Sequence, residues 1–212
     1  MLVGAGLKRS SLKREEILAS ARSLFLRTGY SDAGMEVVAR TAGVSTATLY
    51  AYFPSKADLF KAIVMETVTD VAAPVREAAR AKGDARTRLT ALACAYAAFF
   101  ARSDVRGLFR MVTAERRRFE DVAEYFLQSA RDELGGAMLA VINDLIRAGE
   151  LKVDKPSWAA GQLMGMLDHV TLVLGLSAGD DIQSRRPVQD IAEDAVETFL
   201  ARYGASRKNP LR

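Results

Sequence analysis

Residues 35–60 read MEVVARTAGVSTATLYAYFPSKADLF, and within that stretch two short helical patterns meet at a single glycine. In the first, Val38, Ala39 and Ala42 recur at i, i+1 and i+4, which makes one apolar stripe along a helix. Gly43 ends it, because glycine enters a left-handed conformation without a Cβ clash and so turns the chain within a few residues. Val44 then reads as a buried plug and Ser45 as the N-cap of a second helix, its hydroxyl satisfying a free backbone N–H. On that second helix Leu49 and Phe53 fall four apart and face inward with Val38 and Ala39, while Thr46, Ala47, Thr48, Tyr50 and Tyr52 make an outer surface without charge. Two helices joined by a tight glycine turn, with small Ala39 where they cross, follow the helix-turn-helix plan, whose second helix fits a DNA major groove.

The neighbouring segments support that plan. Upstream, Ile17, Leu18, Ala21, Leu24, Phe25 and Thr28 mark one face of a helix over about 11–28, closed by Gly29. Downstream, Pro54-Ser55-Lys56-Ala57-Asp58 is a break followed by a helix start, with Ser55 as N-cap and Asp58 as its reciprocal partner. Lys56 lies in the first turn, where a phosphate would meet both its ammonium and the helix amides. The helix continues through Leu59, Ile63, Val64, Val68 and Val71 to about residue 81, interrupted by Pro74.

The stretch resembles the N-terminal domain of the TetR family of transcriptional regulators. The likeness rests on Gly29-Tyr30, Ala42-Gly43-Val44-Ser45, Thr48-Leu49-Tyr50 and Tyr52-Phe53-Pro54-Ser55-Lys56, and it covers residues 10 to 60. It implies an all-α protein with a three-helix DNA-binding domain, taken as 1–54, and a helical effector-binding and dimerisation domain, taken as 55–212. It also implies that Ser45, Thr46, Ala47, Thr48, Tyr50, Tyr52 and Lys56 meet double-stranded DNA. Two positions depart from the family pattern. Ala33 and Gly34 stand where a hydroxyl usually opens helix 2, so Asp32 or bare backbone must cap it; Ala47 stands where glycine is frequent, either as a methyl that meets a thymine methyl or as helix-favouring filler.

Composition agrees with an all-helical chain. Half of the 212 residues are hydrophobic, proline is scarce, and no stretch alternates apolar and polar long enough to suggest a sheet. The formal charge is +4, and the first 60 residues carry 8 Lys or Arg against 5 Asp or Glu. Lys8, Arg9, Lys13 and Arg14 cluster before Glu15, as either a phosphate-contacting arm or a solvated basic run. Cys94 is the sole cysteine and His169 the sole histidine, which leaves no disulfide within the chain and no ordinary zinc site. The apolar stretch at the N-terminus is too short for a signal peptide, and a cytoplasmic protein is expected.

The remainder reads as further helices: 84–101, 105–118, 122–148 with Gly135-Gly136 in its middle, 157–177, and 188–203. Arg116, Arg117 and Arg118 beside Glu115, Glu120 and Asp121 read as solvated surface. The segment WAAGQLMGMLDHVTLVLGL is apolar around its circumference, yet Gln162, Asp168 and His169 interrupt it, which favours a helix buried by a partner over a membrane span. Paired with the amphipathic last helix and their symmetry mates, it would form a four-helix bundle across a two-fold axis, the homodimer interface that the family resemblance also implies. Arg207, Lys208 and Arg212 close the chain as a basic tail.

Nothing in the pattern points to catalysis: adjacent Asp168 and His169 point about a hundred degrees apart on a helix, and Gly4-Ala5-Gly6 precedes no strand. No cofactor or metal is expected. Phe99, Met111, Met138 and Met164 offer adaptable apolar walls for a small-molecule effector, and Asp168 and His169 are polar groups on an apolar helix that need partners. The expected function is that of a DNA-binding repressor acting on a palindromic operator as a homodimer and released by a small apolar or amphipathic molecule. The alternative is a helical small-molecule enzyme or carrier that keeps a vestigial helix-turn-helix.

Overall fold

The computed structural model describes residues 3–179 and 184–205; Arg207, Lys208 and Arg212 lie outside the described residues. The described residues form α-helices and no strand, the nearest thing to a sheet being one antiparallel bridge between Leu151 and Gly204. Two compact units divide the chain, Met1–Val68 with Leu108–Phe126, and Thr69–Gly107 with Leu127–Arg212. The sequence cut at residue 54 therefore runs through a compact unit that extends further and includes a second, distant segment.

In the first unit, α1 (Val3–Asp32) is a long helix broken at Gly29, whose φ of 80° stops the regular turn where the sequence predicts. α2 (Met35–Thr41) opens at Gly34 with no side-chain cap, so bare backbone does the capping. Gly43 sits at φ 66°, and its N–H donates to the Arg40 carbonyl at 3.2 Å while that of Val44 donates to Ala39 at 3.0 Å. These two bonds are the Schellman pattern that satisfies the end of a helix and redirects the chain. α3 (Thr46–Tyr52) follows, with Leu49 wholly buried. α4 (Lys56–Val71) begins at the expected cap: the Asp58 N–H donates to Ser55 Oγ at 3.1 Å and the Ser55 hydroxyl donates to Asp58 Oδ2 at 2.7 Å. Ile17, Leu18 and Phe25 of α1 pack with Val38, Ala39, Leu49, Phe53, Leu59, Phe60 and Ile63 in one core. Leu108, Met111 and Val112 of α7 (Ser103–Glu115) join that core, as do Phe119 and Val122 at the start of α8 (Glu120–Ala130).

In the second unit, Ala72 separates α4 from α5 (Ala73–Ala78), and Pro74 occupies the first turn of α5, where its missing N–H costs nothing. α6 (Ala85–Ala101), capped by Asp84 accepting from the Thr87 N–H at 3.0 Å, runs through the middle with Leu89, Leu92, Ala93, Tyr96 and Ala97 buried. The helix expected over 122–148 is not continuous. A π-helical turn at Arg131–Gly135 separates α8 from α9 (Gly136–Arg147), where the glycine pair weakens the α-helical preference. A second π turn, His169–Val173, divides α10 (Pro156–Asp168) from α11 (Leu174–Ala178). Each π turn adds a residue to the helical register, and within the second one Thr171 is buried while His169 is exposed. The stretch Pro156–Ala178 is long and apolar enough to cross a membrane by length and composition. In the fold, Ala159, Ala160, Leu163 and Leu167 bury one side of it within this unit. α12 (Val188–Tyr203) buries Ile191, Ala192, Ala195, Val196 and Phe199, and α6 and α12 are extensively packed together.

Candidate functional site

The outer surface of α3 is built by the corner before it. Ser45 Oγ accepts from the Thr48 N–H at 3.1 Å and lies 2.8 Å from Thr48 Oγ1, so both hydroxyls are engaged in starting the helix. Thr48 is half-buried as a result, while Thr46, Ala47 and Tyr50 are exposed and share one face. Tyr50 keeps 46% of its surface open although it neighbours fully buried Leu49. An exposed large aromatic beside the core of a small helical unit is the informative kind of observation, because burial would be the favourable default. The helix carries no charged side chain from Thr46 to Tyr52. A surface of methyl, hydroxyl and phenol groups without carboxylates approaches base edges and phosphates with no like-charge penalty.

Tyr52 and Lys56 flank this face differently from what the sequence suggests. The Tyr52 hydroxyl lies 3.0 Å from Ser10 Oγ and donates towards the Ser10 carbonyl at 3.3 Å. Lys56 Nζ donates to the Ser31 carbonyl at 2.9 Å and stands 4.6 Å from the centre of the Tyr30 ring. Arg118 lies over the same ring at 5.0 Å, and Phe119 meets it edge-on at 5.0 Å. Burial lowers the Lys56 ammonium below the usual lysine range, with the positive Arg118 adding to the effect, and burial raises the Tyr30 hydroxyl. One ammonium N–H is thus committed and two remain for an outside acceptor. Arg116, Arg117 and Arg118 are all exposed, as the sequence reading of solvated surface expects, and Arg118 in addition lies over the Tyr30 and Phe119 rings. No local signal in the sequence announces that pairing, because Tyr30 and Arg118 are far apart along the chain.

The six residues named for an effector are spread out. Met111 belongs to the core of the first unit, and Met138 is fully buried in the second. Phe99 is half-buried with its ring edge-on to Phe100 at 4.6 Å, Met164 is half-buried on α10, and His169 is exposed. Asp168 accepts a hydrogen bond from the buried Tyr96 hydroxyl at 2.8 Å. Burial raises the Asp168 carboxyl above the ordinary range while the Tyr96 bond pulls it down, and burial followed by the Asp168 charge raises Tyr96. Asp168 thus has its partner inside the second unit. A cleft of about 540 Å³ does open in this unit, where α10 gives way to α11, but none of the six lines it. Among the described residues no cluster of His, Cys, Asp and Glu has the makings of a metal site.

Comparison with known proteins follows the same division. A model of bacterial regulatory proteins of the tetR family matches residues 17–63, and one of the AefR-like transcriptional repressor C-terminal domain matches residues 87–205. The crystal structure of a TetR-family transcriptional regulator from Mesorhizobium loti is similar with a TM-score of 0.83 and 26% identity, over 92% of this chain and 98% of that one. The flavonoid-responsive regulator FrrA is similar with a TM-score of 0.69 and 26% identity, over 92% of this chain and 99% of that one. Among curated proteins, the HTH-type transcriptional activator FasR of Mycolicibacterium smegmatis is 40% identical over 88 residues, 42% of this chain. The match spans 39% of the length of that relative.

Proposed function

The chain belongs to the TetR family of DNA-binding transcriptional regulators, and on that premise we propose that it is a repressor that binds a palindromic operator as a homodimer and leaves it when a small apolar or amphipathic molecule binds. Membership makes it a regulator rather than an enzyme or carrier. The observation that carries the proposal is the uncharged face of α3, where Thr46, Ala47 and Tyr50 are exposed while Leu49 anchors the helix from behind.

In this reading Thr46, Ala47 and Tyr50 meet bases or the phosphates beside them. Ser45 and Thr48 hold the start of the helix at the groove, and Tyr52 and Lys56 meet phosphates while tied to Ser10 and Ser31. The functional division at residue 54 keeps these base-reading groups on the N-terminal side. Dimerisation uses the outward sides of α10 and α12, where Trp158 is 67% exposed and Gly161 and Gly165 leave room for a second helix to approach. Its place of action is the cytoplasm, where the DNA is. Repression is supported by the AefR-like repressor domain matched over 87–205, whereas the name of FasR points to activation for that relative. The responsiveness that FrrA's name records supports a small-molecule effector.

Selection of bound fragments from a random duplex pool tests the reading. A palindrome with half-sites ~34–36 Å apart, or a multiple of that, is expected. Tyr50→Ala should weaken binding to it at least tenfold while changing stability by no more than about 0.5 kcal/mol, since the side chain is largely exposed. Transcription in vitro from a promoter carrying the palindrome should fall on adding the protein. Absence of duplex binding at any salt concentration would overturn the proposal, and increased transcription would overturn its sign.

A further inference from the structure

Three arginines in a row, Arg116, Arg117 and Arg118, occupy the turn between α7 and α8, and DNA binding through the helix-turn-helix gives none of them a task. Their place in the fold sets one of them apart. The turn closes on the Glu115 carbonyl, which accepts from the Arg118 N–H at 2.9 Å and from the Phe119 N–H at 3.0 Å. Phe119 is buried in the core of the first unit, its ring 5.2 Å from that of Phe60. Arg118 stands one residue before this anchor, so it is fixed in the same compact unit as the helix-turn-helix although it lies far beyond it in the sequence.

The Arg118 guanidinium carbon lies 5.0 Å from the centre of the Tyr30 ring, and the Lys56 ammonium lies 4.6 Å from the same centre. Tyr30 is 4% exposed and is held by Phe25, Phe60 and Phe119, which makes it a rigid platform for both cations. Two cations drawn to one ring also repel each other. After burial, the Arg118 charge acts most strongly on the Lys56 ammonium, lowering it, while Asp32 and Glu115 raise it by less. A phosphate beside both cations replaces that repulsion with two charge-assisted contacts. Stacking uses the face of a guanidinium and leaves its N–H donors, which lie in the plane, directed outward along the edge. Arg118 is exposed, and Lys56 keeps two N–H groups after its bond to the Ser31 carbonyl.

We propose that Arg118 is a DNA phosphate contact and forms, with Lys56, a two-cation grip on one strand of the duplex, mounted on Tyr30. The proposal rests on the DNA-binding reading and adds to it a contact from outside the helix-turn-helix. Arg118 lies within the region matched by the C-terminal repressor domain, 87–205, and outside the tetR match over 17–63. Lys56 comes four residues after Tyr52, the last residue of α3, which places the pair beside the end of that helix. Successive phosphates of one strand are ~3.4 Å apart along the duplex axis, a spacing that two side chains on one ring can span. Arg116 and Arg117 are exposed and have no such platform among the described residues, so they stay in solvent.

Fluorescence anisotropy of a labelled random-sequence duplex, titrated with the full-length protein over roughly 50–200 mM salt, gives the slope of log affinity against log salt. Arg118→Gln should lower that slope by about one per protomer, and Arg118→Lys, which keeps the charge, should preserve it. Lys56→Ala combined with Arg118→Gln should lower it by about two per protomer. Arg116→Gln and Arg117→Gln should each change it far less. Arg118 is exposed, so these variants should keep the fold, which circular dichroism and the urea midpoint check. An Arg118→Gln line parallel to that of the native protein, even at lower affinity, would make Arg118 a structural residue and overturn the proposal. Equal losses of slope from all three arginines would overturn it too, because the Tyr30 platform would then select nothing. Native protein that binds no duplex at any salt would remove the DNA-binding reading along with it, whereas native binding with an unchanged slope in Arg118→Gln removes this proposal alone.

Discussion

Replacing Gly43 by alanine should destabilise the protein by about 0.5–1 kcal/mol, and the structure separates the terms. The backbone is left-handed there, at φ 66°, and a side chain with a Cβ pays ~1–2 kcal/mol to stay in that region. The added methyl meets nothing within 4 Å, so no steric clash enters. Against the backbone cost stands the reduced freedom of the unfolded chain, which favours alanine by ~0.4–1 kcal/mol. Gly136 provides the control: its φ of −62° and ψ of −43° are helical, and an added Cβ meets only the Arg131 carbonyl at 3.9 Å. Gly136→Ala should therefore stabilise by ~0.5–1 kcal/mol. Gly43→Asn should recover part of the loss, since asparagine tolerates the left-handed region. Urea unfolding followed by far-ultraviolet circular dichroism, at one protein concentration so that association does not shift the comparison, measures all three. If Gly43→Ala proves as stable as Gly136→Ala, the left-handed corner is not what ends α2, and the account of how α3 is presented fails.

Lys56→Ala should lower the slope of log affinity for operator against log salt by about one per protomer, if the two free N–H groups reach a phosphate. An unchanged slope would confine Lys56 to its contacts with Ser31 and Tyr30. Asp168 has a folded-state carboxyl raised by burial, so the folded protein binds the extra proton and stability from this group is lost as pH rises from the unfolded value through the folded one. Asp168→Asn keeps an acceptor for the Tyr96 hydroxyl without the titration, and its melting temperature should fall less, or rise more, than that of the native protein between pH 4 and pH 7; parallel curves would refute the assignment. Gly165→Leu should shift the protein toward monomer in sedimentation, because the added side chain has open space within its own chain but would occupy the proposed helix-helix seam. A variant that stays dimeric would exclude that seam.

Much of the fold was legible because its signals are local. Ser45 and Ser55 act as caps through bonds to residues three positions on, Gly29 and Gly43 take positive φ, and Pro74 marks the break between α4 and α5. A cap or turn is satisfied within a few residues, so residue type and spacing carry nearly all the information. The exposed face of α3 followed in the same way, from Leu49 and Phe53 turning inward. Elsewhere, only the packed chain decided. The segment Leu108–Phe126 belongs with the first unit because Phe119 and Arg118 close over Tyr30 and Phe60, contacts between residues that have no sequence relation. Likewise the pairing of Tyr96 with Asp168 and the seating of Arg106 against Gly175 depend on how α6, α7 and the α10–α11 helix lie against one another. Such contacts arise from side-chain volume and hydrogen-bond demand across the tertiary structure, which periodicity along one helix does not encode.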